Sequence, residues 1–363
     1  MSGRRLSELA LGFTVLVAVL GARGAPTEEQ WVEYLGSSSP ENSRRIVLVS
    51  GDEEYRSEEA LPQLGKILAR HHGFHCTVLF AVDPQSGLIN PNVSSNIPGL
   101  DALDRADLLI LFTRYRDLPD SQMASIDRYL KRGGPILGIR TATHAFRFDA
   151  TSRWAHYGND YRGARSEWTG GFGRFVLGEK WIRHHGNHKS ESTFGIITAE
   201  AREHPIVRGI DDREIWGPTD VYAVRLPLPG DSRPLVLGEV ASRRGAFDES
   251  DPFYGMRPND GPPVAEKNDP MMPIAWTKSY RVPGGKVGRA FASTIGASAD
   301  LASEGTRRLL VNAVYWCLGM EDRIPSEGTQ VDLVAPYSFT RFEFRDHSYW
   351  IQRAMKPSDY RLR

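Results

Sequence analysis

The sequence predicts a three-layer α/β fold, with a mostly parallel sheet between helices, some antiparallel strands, and a C-terminal tail. Three observations carry this prediction. Apolar runs at Arg44–Val49, Cys76–Val82, Leu108–Phe112 and Pro135–Ile139 are continuous rather than alternating, as strands covered on both faces must be. Amphipathic segments at Ser57–His72 and Asp120–Arg132 fall between strands, giving the alternation that builds a parallel sheet. Polar turns crowd two strand ends, at Ser50–Tyr55 and at Arg140–His144.

Taken in order, the first strand ends in Ser50-Gly51-Asp52-Glu53-Glu54-Tyr55. Ser57 is expected to cap the next helix, with Glu58 and Glu59 in its positive first turn and Gly73 as its stop. The second helix sets Met123, Ile126, Tyr129 and Leu130 on one face, and the Pro135 strand is the fourth. From Trp154 to Asn187 the alternation stops and Gly, Trp, His and Tyr become frequent, which marks a functional excursion. Shorter strands, some antiparallel, are predicted at Phe194–Thr198, Thr219–Val224, Leu235–Val240, Pro273–Thr277 and Lys286–Thr294. Arg243–Asp269 reads as a long loop able to fold over a pocket. Ser303 caps a closing helix over Glu304–Leu318, which Gly319 ends. Residues 320–363 form a tail with Tyr337, Phe339, Phe342, Phe344, Tyr349 and Trp350, too many aromatics to leave in water. That tail is expected to pack on the domain or on a partner subunit, so a homo-oligomer is one expectation.

Lys plus Arg and Asp plus Glu both number 45 in 363 residues, so nothing electrostatic argues for nucleic acid, and small molecules are the expected ligands. Arg4 and Arg5 precede an apolar stretch from Leu9 to Leu20, and Ala22-Arg23-Gly24 supplies small residues for cleavage. Residues 1–24 therefore read as a signal peptide and 25–43 as a linker. The domain follows at 44–319, and the protein is expected to be secreted or periplasmic with no stable membrane span after cleavage; an uncleaved anchor is the alternative. Cys76 and Cys317, the only cysteines, read as small buried hydrophobes rather than a disulfide. Asn92-Val93-Ser94 fits the glycosylation pattern.

In an open α/β sheet, ligands bind beyond the carboxyl ends of the strands, so Arg140, Thr141, Thr143 and His144 are site candidates by position. Asp52, Glu53 and Glu54 lie at the end of the first strand, and one of these carboxylates, with Asp52 and Glu53 leading, is a candidate to accept from a ligand hydroxyl. Six of the ten histidines, 144, 156, 184, 185, 188 and 204, lie close together in the chain, which favours proton-transfer work because histidine titrates near neutrality. His144, His185 and His188 are the leading proton carriers, and His204 before Pro205 reads as a loop hydrogen bond. Sugar sites combine aromatic platforms with fixed polar groups. Trp168, Trp181, Trp216 and Tyr222, with Glu167, Asn187, Lys189 and Asp220, supply those types, while Trp276 reads equally as core. A metal site needs three convergent donors. Gly186 and Asn187 interrupt His184, His185 and His188, so no metal or other cofactor is expected, and a divalent ion is kept as a minor alternative.

With these segments placed, the chain resembles the ThuA-like family, named for trehalose utilisation, over roughly Arg44 to Gly319. The resemblance rests on the order of six pieces. These are Gly138-Ile139-Arg140-Thr141-Ala142-Thr143, His184-His185-Gly186-Asn187-His188, His204-Pro205-Ile206 with Gly209-Ile210, Trp216 to Tyr222, Pro273-Ile274-Ala275-Trp276, and Gly284-Gly285-Lys286-Val287 leading to Ser293-Thr294-Ile295-Gly296. It implies a flavodoxin-like sheet similar to class I glutamine amidotransferases. There the turn after this strand carries a cysteine nucleophile, and ThuA-like proteins commonly have histidine. Here the position is Arg140, whose guanidinium stays protonated and cannot attack a carbonyl, so the chain is not a glutaminase.

The leading expectation is an exported protein of carbohydrate utilisation acting on a keto-sugar or glycoside. In it a histidine, His188 or His144, moves the proton and Arg140 holds the oxygen that becomes negative. Two alternatives stand beside it: a non-catalytic carbohydrate-binding or scaffold module, and a metal-dependent hydrolase.

Overall fold

The computed structural model describes residues 30–37 and 44–362; the expected signal peptide lies outside these residues, as does most of the linker. In chain order the elements are β1 (Trp31–Tyr34), β2 (Arg45–Gly51), α1 (Ser57–His72), β3 (His75–Phe80), β4 (Leu108–Thr113), α2 (Asp120–Lys131), β5 (Ile136–Ile139), α3 (Gly171–Phe175) and β6 (Arg183–His184). They continue with β7 (Glu191–Ile197), β8 (Trp216–Gly217), β9 (Tyr222–Ala223), β10 (Arg233–Ser242), β11 (Met272–Tyr280), β12 (Gly288–Ser293), α4 (Glu304–Cys317) and α5 (His347–Arg353). Ten strands form one sheet in the order β1-β3-β2-β4-β5-β12-β11-β10-β7-β8. From β3 through β12 the neighbours are parallel; β11, β10, β7 and β8 continue the sheet antiparallel.

The continuous apolar runs have a direct cause. Along β2, Ile46 and Leu48 enter one core while Val47 and Val49 enter another, and β4 divides likewise into Leu108, Ile110 and Phe112 against Leu109 and Leu111. The first core takes Leu61 and Leu64 of α1 with Leu309 and Leu310 of α4; the second takes Met123, Ile126 and Tyr129 of α2. Helices on both faces leave these central strands no solvent side, which gives the three-layer α/β architecture.

Three local expectations are corrected. Ser57 does not cap α1. Arg56 occupies that position in the left-handed region (φ 60°), and the Ser57 hydroxyl turns back to Ser50 at 2.8 Å and to the Asp52 N–H at 3.0 Å. The polar linker contains β1, which buries Val32 and Tyr34 and pairs antiparallel with β3. Of the strand expected over Thr219–Val224, only Tyr222–Ala223 is extended and paired, as β9 in a two-stranded ribbon with β6.

The tail lies on the domain itself. Phe342 and Trp350 are buried, the Tyr337 hydroxyl donates to the Ser298 carbonyl at 2.8 Å, and Tyr360 stacks on Phe80. The long loop after β10 meets it, with the Tyr254 hydroxyl donating to the Phe342 carbonyl at 3.0 Å. Asn92 Nδ2 donates to the Arg345 carbonyl at 2.8 Å, so the expected glycosylation acceptor is engaged by the tail. Cys76 and Cys317 are free and buried, and burial pushes both thiols up. Among the described residues, no helix is long and apolar enough to cross a membrane.

Candidate functional site

The turn after β5 is the organising feature. Arg140 there adopts φ 49°, in the left-handed region that L-residues avoid, and so turns its side chain sharply off the strand end. Its guanidinium is fully buried between the rings of Tyr55 and Tyr222, with Cζ 4.2 Å from each centroid. Nη1 donates to the Asp220 carbonyl at 2.7 Å and to the Thr294 carbonyl, while Nη2 donates to Asp220 Oδ1 at 3.1 Å. Burial opposes the charge, but Tyr222, Tyr55 and Asp220 outweigh it, holding Arg140 well above the usual range. Both terminal nitrogens are thus occupied by protein. Arg140 is an enclosed cation that positions Asp220, rather than a clamp open to a ligand oxygen.

Asp220 carries this charge outward. Its Oδ2 lies 2.7 Å from His184 Nδ1, and its Oδ1 also receives the Tyr55 hydroxyl at 3.4 Å. Burial pushes the Asp220 carboxyl up, but the His184 hydrogen bond and the Arg140 charge hold it below the usual carboxylate range. The Asp220 hydrogen bond is in turn the main reason that His184 is raised. The His184 side chain is 43% exposed, so its ring is the part of this network that meets solvent.

Around it stand the other titratable groups. The His188 ring lies 5.4 Å from that of His184, and its Nε2 is 3.7 Å from Glu54 Oε1 and 3.5 Å from the Tyr55 hydroxyl. Burial lowers His188 to about 4, so it is neutral near pH 7. Glu54 is pushed up to about 7, first by burial and then by the Asp52 charge. His144 is fully buried and held well below its usual value by burial and by the Arg114 and Arg140 charges; it packs between Tyr115 and Trp181, 5.0 and 5.4 Å away. Trp181 also meets the His184 ring edge-on at 5.7 Å.

Several expected residues support the site from behind. Asp52 accepts the Glu54 N–H at 2.8 Å, the Tyr55 N–H, and the Thr141 hydroxyl at 2.6 Å, tying the β2 turn to the β5 turn. Thr143 bonds the Arg140 carbonyl and lies 3.3 Å from His144 Nδ1. Glu53 pairs with Arg114 and, at 2.8 Å, with Arg116. Tyr222 forms one wall around Arg140.

Others are elsewhere. His185 Nε2 faces the Lys267 carbonyl at 2.6 Å, on the opposite side of the chain from His184, because consecutive residues leaving a strand point to opposite faces. Asn187 binds the Glu191 carboxylate through its backbone and side chain and fixes a turn. Trp216 packs against Phe253 in a separate groove of about 500 Å³ with Arg213 and Arg308. Trp168 and His156 join Tyr157 in an aromatic cluster, Trp276 is core, and His204 accepts the Ile206 N–H at 3.2 Å. In the sequence His184 stands only as one of a histidine cluster and Glu54 as one of three strand-end carboxylates, and nothing there picks either as a proton carrier. Among the described residues, no group of three or more His, Cys, Asp or Glu side chains is arranged to hold a metal.

Comparison with known proteins adds the following. No curated protein matches the chain. Among solved structures, it is similar to a ThuA-like protein from Parabacteroides merdae ATCC 43184 at 15% identity and TM-score 0.44, covering 88% of this chain and 100% of that one. A ThuA-like protein from Bacteroides uniformis ATCC 8492 shows 15% identity and TM-score 0.42, with 77% and 94% covered. A family model described as trehalose utilisation matches residues 45–317. With that match spanning most of its length, the chain belongs to the ThuA family.

Proposed function

We infer that the protein acts on a carbohydrate by proton transfer, with His184 as the base and Glu54 as the partner acid. Membership of a family described as trehalose utilisation supports a carbohydrate-related role. One observation carries the rest: a half-exposed imidazole whose Nδ1 is fixed by a buried carboxylate at 2.7 Å. That bond selects the tautomer with the proton on Nδ1, leaves the Nε2 lone pair toward solvent, and stabilises the imidazolium formed when Nε2 takes a proton. Asp220 can hold this geometry because Arg140 neutralises it from behind. Glu54, at about 7, is poised to return a proton to a departing or developing oxygen. The expected substrate is an oxidised (keto) sugar or its glycoside, in which a carbonyl acidifies the neighbouring C–H.

Purified protein incubated with keto-sugars and disaccharides, with and without divalent metal, should convert one of them, as followed by NMR. An unchanged panel overturns the reading. A non-catalytic binding module is the second reading, favoured by a permanently charged side chain where related folds carry a nucleophile. Sugar binding without turnover would select it. Export through the leader at residues 1–24 belongs to the same proposal; N-terminal sequencing of the mature protein should find residues 1–24 removed.

A further inference from the structure

Residues 341–344 lie beyond the family span of 45–317, and none of the chemistry above uses them. They are nonetheless built into the site. Arg56, fully buried, donates Nε to the Arg341 carbonyl at 3.0 Å and Nη2 to the Glu343 carbonyl, fixing the backbone on both sides of Phe342. Phe342 is buried; it stacks on Tyr55 with an interplanar angle of 16° and lies 5.1 Å from the His188 ring. The chain then delivers Phe344 to the rim, 54% exposed.

Phe344 does not hang free. The Arg114 guanidinium lies over its ring at 4.7 Å. Arg114 is itself held by Glu53, whose other oxygen is fixed by Arg116 at 2.8 Å, and its Nε is 3.9 Å from Glu54 Oε2. A single guanidinium therefore separates the Phe344 ring from the Glu54 carboxyl. Tyr115 has two cations over its ring, Arg114 at 4.8 Å and Arg147 at 3.9 Å, whereas Phe344 has Arg114 over its ring and more than half of its surface exposed. A large apolar ring exposed at a site rim, on a pinned backbone and backed by a pinned charge, is a stacking surface with little ordering entropy left to lose.

We propose that Phe344 forms an outer subsite and is a specificity-determining residue: its exposed ring stacks on the C–H face of a second sugar ring attached to the unit held at His184 and Glu54. This rests on the carbohydrate reading of the inner site. The test is equilibrium titration of the full chain with trehalose, cellobiose and glucose, for wild type, Phe344→Ala and Phe344→Trp. Phe344→Ala should weaken one or both disaccharides by about three- to tenfold and leave glucose within about twofold, and Phe344→Trp should restore binding. A wild type that binds both disaccharides no tighter than glucose overturns the proposal, as does a Phe344→Ala variant that weakens all three sugars alike or none. Turnover is scored separately with His184→Gln. If no sugar is converted while the Phe344 difference in binding persists, the proton-transfer reading fails and the subsite stands.

Discussion

Arg140 and His184 hold the same carboxylate from opposite sides, Arg140 Nη2 at 3.1 Å from Asp220 Oδ1 and His184 Nδ1 at 2.7 Å from Oδ2. The buried partner carries a charge that does not titrate in the working range; the exposed one carries the proton that does. This division of labour separates two effects that substitutions can resolve.

His184→Gln removes the proton carrier and leaves the Arg140–Asp220 pair in place. Activity should fall by about 10²- to 10⁴-fold with little change in thermal midpoint. Asp220→Ala should lose the same activity and also leave the Arg140 charge buried without its carboxylate, costing about 3–5 kcal/mol of stability. Calorimetry beside kinetics decides it; equal midpoints for the two variants would refute the buried-pair account.

The pH dependence of kcat/KM should be bell-shaped near neutrality. On the acid side His184 must lose its proton, and its pKa is raised above 6.5, so the rate climbs with pH through that region. On the alkaline side Glu54 must keep its proton, so the rate declines above about 7. In Glu54→Gln the alkaline limb should disappear. Its survival would show that another group donates.

Stability should fall in acid for a separate reason. The buried His72 ring lies with Nδ1 3.0 Å from the Tyr315 hydroxyl and Nε2 2.8 Å from the Gln330 carbonyl, with no carboxylate among the described residues against it to favour the charged form. Burial lowers its pKa to about 4 from 6.5. The unfolded chain therefore binds a proton that the folded chain refuses, so stability drops as pH falls from 6.5 toward 4. The drop is up to ~3 kcal/mol for this group. Thermal midpoints measured across that range should flatten in His72→Gln; an unchanged slope would place the effect elsewhere.

Gly173→Ala should damage the β5 turn from outside it. A Cβ on this α3 residue would sit 1.9 Å from the Thr143 carbonyl oxygen, a backbone atom that cannot swing away. A loss of at least about 1–3 kcal/mol is expected in chemical denaturation, together with reduced activity because Thr143 adjoins His144. Wild-type stability in this variant would mean that α3 slides freely over the turn.

The sheet was readable because burial on both faces leaves a continuous apolar mark over Ile46–Val49 of β2 and along β4 and β5, and the turn at Arg140 was readable because polar residues arrive abruptly after Ile139. The site was only half readable. His184 and His185 are neighbours in sequence, and choosing between them requires the register of a two-residue strand inside an irregular stretch, where no periodicity exists to report it. Asp52, Glu53 and Glu54 present the same difficulty. Their hydrogen bonds send the first to Thr141, the second to Arg114 and Arg116, and leave the third beside His188. The tail's contribution was hidden by distance: Arg56 meets the Arg341 carbonyl across 285 positions of chain.

The seating of Arg140 also ties distant parts of the chain to one another. Its partners Asp220 and Thr294 are 80 and 154 positions away, one in the antiparallel half of the chain and one at the end of β12, where the parallel half finishes. Contacts of such sequence separation form only after the intervening loops have closed. Seating the guanidinium therefore carries the closure cost of both segments, and the carbonyls that replace its water come from two parts of the chain at once. Each half of the chain thus depends on the other to keep this buried charge paired.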